Sequence, residues 1–480
     1  MGENKIRDQI EKSIKKYEDR VNAINEIIWS NPELSGQETI AHNTICEFFE
    51  TLGSDYKVQR KAWGIETSFM IEARRGVDNL ASARIIVFNA EYDALPNMVP
   101  VENTSPVKFK AAHACGHNLI ASAAIAAFIA CWETLKSNNG TGIVRLLGTP
   151  AEERGGGKLQ LLEKGAYKGV NACLMVHPGP MYSDESIAAV SVTRSLASQR
   201  LIVNFNGQAS HAGIAPWLGK NALDALVTSY VSIAALRQQL EPSCRVSGIV
   251  VHGGKAPNII PDHTQAEYSI RAASAPVLKD LEGRVINCFQ SGAQGTGCEV
   301  KVNNTRKAYW DLHSNPELCA RFTYHMKGFG VKIVNELPEI TDNPGASTDQ
   351  GNVSYACPAI QPAFAIQSNK AMNHTPGFAD AAHTPDAFKR AMACGKGMAA
   401  VGYDVLTNDV IAEQVEATFN EGVNKKAADI ARHYEVKPPT DEQINQLAAA
   451  ATEEISIRRE QALGTLMASD DYLDRFKEFL

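Results

Sequence analysis

Cys115 and His117 stand two residues apart around Gly116, a thiol and an imidazole just ahead of the apolar run Leu119 to Trp132. Alone, such a pair is compatible with inert packing, because a free cysteine behaves as a small buried hydrophobe. Three other stretches change the reading: Gly148-Thr149-Pro150-Ala151-Glu152-Glu153, Val176-His177-Pro178-Gly179 and Asn373-His374-Thr375-Pro376. Each places a carboxylate or an imidazole just after an apolar, strand-like run. The inventory Cys115, His117, Glu153, His177 and His374 exceeds the three protein ligands usual for one catalytic zinc. Five suit two divalent ions with a shared ligand, and a thiolate can bridge. Two neighbouring ions can hold a hydroxide and polarise a carbonyl. Adjacent residues in extended chain point to opposite sides. One of Glu152 and Glu153 can therefore bind metal while the other stays available as a general base. Cysteine and histidine suit zinc, and the carboxylates also admit manganese or cobalt.

The elements that must position these groups alternate. An amphipathic helix is expected over residues 4–29, ending near Asn31-Pro32, and a second from Glu38 to Leu52. Short β-branched runs predict strands over Arg84 to Phe88, Ile143 to Leu147, Ala172 to Val176 and Pro358 to Ile366. Helices are expected from Leu119 and over Lys158 to Lys164, and Asn97 to Lys110 reads as a loop. Strands alternating with helices predict an α/β catalytic domain: a mostly parallel mixed sheet flanked by helices. Ligands of such sheets gather beyond the carboxyl ends of the strands, where Asp93, Glu152, Glu153, His177 and His374 all fall. From about Ser195 the pattern changes to half-wet strands (Arg200 to Asn206, Val246 to Val251, Thr264 to Arg271, Glu299 to Asn303) and a long helix, Asn221 to Leu240. We therefore expect a catalytic domain of residues 1–195 and 309–425, an inserted α+β domain of residues 196–308, and a helical C-terminal extension of residues 426–480.

A net charge of −7 leaves no electrostatic footprint for nucleic acid or an anionic membrane surface. The N-terminal residues lack the apolar core of a secretory signal, Ile6 breaks the myristoylation pattern, and no segment reads as a bilayer span. The 10 cysteines carry no paired spacing, which suits reduced thiols and a cytoplasmic location.

The ordered motifs Ala90-Glu91-Tyr92-Asp93-Ala94-Leu95-Pro96, His113-Ala114-Cys115-Gly116-His117-Asn118, Gly148 through Glu153, Gly207-Gln208-Ala209-Ser210-His211-Ala212, Pro257-Asn258-Ile259-Ile260-Pro261, Ser347 through Ser354 and Asn373-His374 resemble the M20 metallopeptidase family. The branch is that of the amidohydrolases, which includes the aminobenzoyl-glutamate hydrolases and the M20 domain-containing dipeptidases acting on basic-residue dipeptides. The resemblance implies Glu152 as general base, Glu153 on a metal, Cys115 as bridging ligand, and His117, His177 and His374 as further ligands. It implies that Asp93 orients the site and that the inserted domain is a lid and dimerisation module. His211 would then stabilise the oxyanion in the site of the partner chain. Asn258 and Arg271 are candidates for gripping a substrate carboxylate, against the plainer reading of a strand-end cap and a surface arginine. The expected activity is hydrolysis of an amide or peptide bond in an N-acyl amino acid or dipeptide with a free carboxylate, by a homodimer. Amide formation at the same site, a cysteine hydrolase using Cys115 and His117, and a non-catalytic binding protein are the alternatives.

Overall fold

The structure is a computed structural model and describes residues 3–77, 83–101, 108–304, 307–338 and 345–433. The periodic opening stretch forms α1 (Glu3–Ser30), which buries Ile10, Ile14, Val21, Ile24 and Ile28 along one stripe. It stops where Pro32 pushes Asn31 out of the helical region. After α2 (Thr39–Glu50) come β1 (Lys57–Arg60), β2 (Phe69–Arg75) and β3 (Ile85–Ala90). Next are β4 (Leu95–Val101), β5 (Lys108–Ala112), α3 (His117–Ser137), β6 (Gly142–Gly148), α4 (Gly157–Glu163), β7 (Ala172–Leu174), β8 (His177–Pro180) and β9 (Ala189–Val190).

The chain then enters a unit of its own: β10 (Ala197–Asn206), α5 (Ala222–Leu236), β11 (Arg245–His252), β12 (His263–Ala272), α6 (Ala275–Thr296) and β13 (Glu299–Asn304). The strands pair antiparallel in the order β11-β12-β10-β13. Burial alternates strictly along β12, as in a sheet with one packed and one wet face. Its inward residues, with Leu201, Val203 and Phe205 of β10, pack on Phe289 and Val285 of α6. The Asn221 side chain caps α5 by accepting from Leu223 N and Asp224 N. A 3-10 turn, Arg237–Gln239, replaces the last turn expected of that helix. This compact unit comprises Ser195–Leu312 together with Gly345–Gly351, a short return outside the expected bounds 196–308.

The other unit is completed by α7 (Pro316–Gly328), β14 (Ile333–Val334), β15 (Ala359–Ile360), β16 (Ala363–Ile366) and the helices Pro385–Thr407 and Asp409–His433. Its main sheet runs β1-β2-β6-β3-β7-β15, antiparallel from β1 to β6 and parallel from there to β15. The architecture is thus α/β with a mixed sheet, plus an antiparallel α+β unit. The core helix α3 packs on α1 and on the helix Pro385–Thr407. Contrary to expectation, α3 is long and apolar enough to span a bilayer by composition, but 94% of that stretch is buried. A helix apolar all round is what a core position between layers requires.

Three expectations change. The stretch Asn97 to Lys110 is not simply a loop: Val99 pairs with Lys110 and Val101 with Lys108 in the β4–β5 hairpin. Residues 102–107 of that stretch lie outside the described residues. Pro96 and Pro100 obscure the strand signal, yet a two-stranded ribbon tolerates them because each strand has an unpaired side. Second, β7 ends at Leu174 and His177 opens β8, which pairs with β16 in a second sheet, β14-β9-β16-β8. Third, Pro358 to Ile366 is two strands, β15 and β16, one in each sheet. The chain steps between sheets at Gln361-Pro362, where proline has no N–H to continue a ladder. Of the extension from residue 426, the helix Asp409–His433 covers the start without a break. The rest, including Pro438-Pro439, lies outside the described residues.

Candidate metal centre

The carboxyl ends of β3 and β6 bring Asp93, Glu152 and Glu153 to one rim. Gly116 makes the approach of Cys115 and His117 possible. It adopts φ +78°, and a Cβ there would stand 2.6 Å from Pro178 Cγ, so a larger residue would push β8 away from the start of α3. His374 is itself left-handed at φ 67°, held by its N–H donating to Ala114 O at 2.8 Å. Ala151, at φ 59°, is pinned by the buried Glu38, whose Oε1 accepts from Ala151 N at 2.8 Å. Two non-glycine residues in this region are costly, and both immediately adjoin or form the site.

Two triads of ligand atoms gather within 4.8 Å: Cys115 with His117 and His177, and Cys115 with Glu153 and His374. They share Cys115. A third group joins His117 to Glu152 and Glu153. His117 Nδ1 donates to Asp93 Oδ1 at 2.9 Å, which turns Nε2 inward; burial opposes its charge, but Cys115, Glu91 and Asp93 raise this imidazole well above its ordinary value. His177 Nδ1 donates to Pro178 O at 2.8 Å, which turns its Nε2 to Cys115 Sγ at 3.5 Å. Both imidazoles are thus held in the ligating tautomer by the bond the other nitrogen makes. Glu153 Oε1 lies 3.8 Å from His117 Nε2 and 3.5 Å from His374 Nε2. His374 stands at the solvent side, its side chain 54% exposed.

The electrostatics of this cluster make sense around cations. Burial pushes the Cys115 thiol up and lifts Glu153 to about 7; burial likewise drops His177 to about 4. Asp93 goes the other way. Burial opposes its charge, but the hydrogen bond and charge of His117, Glu153 N at 3.0 Å and Ser35 Oγ at 2.7 Å together hold it at about 2. Among the described residues, His117 Nε2 and Glu153 Oε1 are buried with no hydrogen-bond partner. Buried polar atoms are ordinarily satisfied, and two such atoms converging are a pair that could hold a metal ion. For a Cys115–His117 nucleophile the shifts divide: burial drives Cys115 away from the thiolate that a reactive cysteine needs, whereas His117, despite its burial, is raised by Cys115, Glu91 and Asp93 towards imidazolium.

Cys115, His117, Glu152, Glu153, His177 and His374 come together, and Asp93 adjoins them through His117. His211, Asn258 and Arg271 lie in the other unit. His211 is exposed, and its Nδ1 accepts from Gly213 N and Ile214 N, both at 3.2 Å. That fixes the proton on Nε2. Asn258 is exposed, and its carbonyl accepts from Ala212 N at 3.1 Å. Arg271 donates to Gly345 O at 2.8 Å and Ser347 Oγ at 3.2 Å. Ser35 and Glu38, which brace Asp93 and Ala151, are missed by sequence reasoning, as is any role for Glu91 and Lys158. Glu91 stands inside the motif Ala90 to Pro96, which is a usable signal; the others sit among ordinary polar residues.

Residues 193–295 match the family model described as the peptidase dimerisation domain. The chain is 36% identical to the Xaa-Arg dipeptidase of Mus musculus and 34% identical to that of Homo sapiens, each match covering 84% of this chain and 89% of the relative. It is 30% identical to one of the chains of p-aminobenzoyl-glutamate hydrolase of Escherichia coli, over 62% of this chain and 59% of that one. A dinuclear metal binding peptidase from the M20 family of Bacillus subtilis superposes with TM-score 0.59 at 19% identity, covering 82% of this chain and 99% of the other. An aminobenzoyl-glutamate utilization protein from Klebsiella pneumoniae does so with TM-score 0.61 at 14% identity, covering 83% and 99%. At these identities the solved structures speak for the fold.

Proposed function

The chain belongs to the M20 family of metallopeptidases, and we propose that it is a two-metal amidohydrolase that cleaves dipeptides or N-acyl amino acids bearing a free carboxylate. The observation that carries the proposal is the pair of ligand triads sharing Cys115, with Glu152 beside them. Zinc or manganese, or cobalt in the laboratory, fits the mixed thiolate, imidazole and carboxylate donors. Two divalent ions held by Cys115, His117, Glu153, His177 and His374 would supply Lewis-acid polarisation of the scissile carbonyl and a more acidic water.

The chain's own groups do the rest. Glu152 takes the proton of the attacking water as the new C–O bond forms, and returns it to the amine nitrogen as the C–N bond breaks. Asp93 keeps His117 Nε2 unprotonated and aimed. His211 presents an Nε2–H, the tautomer an oxyanion donor needs. Asn258 and Arg271 grip the substrate carboxylate, Arg271 from an orientation set by Gly345 and Ser347.

We further assign a homodimer. The edge strand β11 exposes Ile249, Val250 and Val251, and α5 exposes Val227, Tyr230 and Val231 on one stripe. An uncovered apolar edge and helix face invite a second copy. In that dimer, His211 serves the partner's metal centre. Small-molecule substrates, with no role for nucleic acid or membrane, agree with the net charge of −7. The ten cysteines are all free, which supports a cytoplasmic location.

The relatives named Xaa-Arg dipeptidase make dipeptides with a basic C-terminal residue the first substrates to test. Protein of measured metal content is assayed against Xaa-Arg, Xaa-Lys, neutral dipeptides and N-acyl amino acids, before and after chelation. Release of the free amino acid that is abolished by chelator and restored by metal supports the proposal. Turnover indifferent to chelation refutes it.

A further inference from the structure

Lys158 opens α4 with its side chain wholly buried, and its Nζ lies 2.5 Å from Oε1 of Glu91, which is 1% exposed. Lysine is almost never fully buried unless paired, and a buried pair is retained more readily for a job than for stability. The second oxygen of the carboxylate indicates the job. Glu91 Oε2 is buried with no hydrogen-bond partner among the described residues and lies 3.4 Å from His117 Nε2.

With His117 Nδ1 donating to Asp93, Nε2 is the ring atom turned towards the two carboxylates. Glu153 Oε1, the third unpartnered atom, lies 3.8 Å from the same nitrogen. Three buried atoms of ligating type, none with a hydrogen-bond partner among the described residues, thus face one another. Mutual repulsion makes that arrangement unfavourable unless a cation lies among them.

We propose that Glu91 is a sixth ligand of the metal pair, on the ion that His117 holds, with Lys158 as the fixed counter-charge that orients it. This rests on the two-metal reading above. The division of labour follows from the two oxygens. Lys158 anchors Oε1 and offsets the charge of the carboxylate in the interior, which lowers the burial cost; Oε2 remains for the ion. Lys158 does not ligate, because an ammonium has three donors and no lone pair.

The test is metal binding, read apart from turnover. Wild type, Glu91→Gln and the double variant Glu91→Gln/Lys158→Met are freed of metal and titrated with Zn(II) and Co(II). Stoichiometry comes from elemental analysis, affinity from chelator competition, and the ligand field from the Co(II) visible spectrum. The double variant removes both charges together, so it retains a folded core if the single variant, with a stranded lysine, does not. In both variants one of the two ions should bind at least ~10-fold more weakly, the size typical of altered support around a metal, and the Co(II) bands of that ion should shift. Wild-type affinity for both ions with an unchanged spectrum in the double variant overturns the role of Glu91 alone. A wild-type protein that takes up no ions overturns the two-metal reading itself.

Discussion

Replacing Asp93 by asparagine tests how far the metal centre depends on a residue that need not touch the ions. The buried carboxylate accepts from His117 Nδ1 through Oδ1 and from Ser35 Oγ and Glu153 N through Oδ2. Asparagine keeps the shape but has only one acceptor oxygen. If that oxygen serves Ser35 and Glu153, the amide NH2 meets His117 Nδ1–H donor to donor. The imidazole must then move its proton to Nε2, the atom needed for ligation, or rotate away. The size of the effect has two independent bounds. Asp93 sits at about 2 against 3.8 for an ordinary aspartate, a net preference for the anion on the order of 2 kcal/mol. Loss of a carboxylate behind a ligating histidine costs ~10–100-fold in metal affinity, or ~1.4–2.7 kcal/mol. Asp93→Asn should therefore weaken at least one ion by one to two orders of magnitude in chelator competition. Nitrogen-15 spectra of the metal-loaded variant should show the Nδ1–H of His117 lost. Wild-type affinity together with an Nδ1–H tautomer in the variant would refute the reasoning.

Three further outcomes follow from the geometry. Glu152→Gln should retain both ions and substrate affinity while losing ~10²–10⁴-fold in kcat; near-normal turnover would place the base elsewhere. His211→Ala should bind metal and dimerise but lose ~10²–10³-fold in rate. Mixing it with Glu152→Gln should restore part of the activity, because a hybrid dimer has one site with both groups intact. Confirmed exchange of chains without recovery would show that His211 does not act across the interface. The third concerns acid. Burial, reinforced by the charge of His117, drops His113 to about 3, and its Nε2–H donates to Ile28 O at 3.0 Å. The unfolded chain therefore binds one more proton than the folded chain between pH ~6.5 and ~3. Stability is fully present above ~6.5 and should fall as pH drops, by up to ~1.4 kcal/mol per pH unit from this histidine. In urea unfolding of the metal-free protein, His113→Gln should flatten that slope by about one proton; an unchanged slope would rule His113 out as its source.

The sequence alone determined the parts of this protein that depend on local chemistry. The stripe of α1, the all-apolar α3, the alternation in β10 and β12 and the proline stop after Asn31 each follow from side-chain period or backbone restriction within a few residues. The site was legible in part for the same reason: Asp93, Glu152 and Glu153 follow β3 and β6, whose parallel exits share one rim, whereas His177 opens β8 and His374 follows β16, which both belong to the second sheet. Tertiary structure decided what depends on a neighbour distant in the chain. Whether Ala172 to Val176 continues as one strand depends on β15 and β16, which arrive some 190 residues later and step between sheets at Pro362. The β4–β5 hairpin exists because two proline-bearing segments find each other, which neither announces. Glu91 and Lys158 look like surface charges until burial removes the water that would have satisfied them, and only then does one unpartnered oxygen beside His117 acquire meaning. Local sequence sets which conformations a segment favours. Desolvation and pairing are properties of the assembled interior, so the groups whose role rests on them are visible only there.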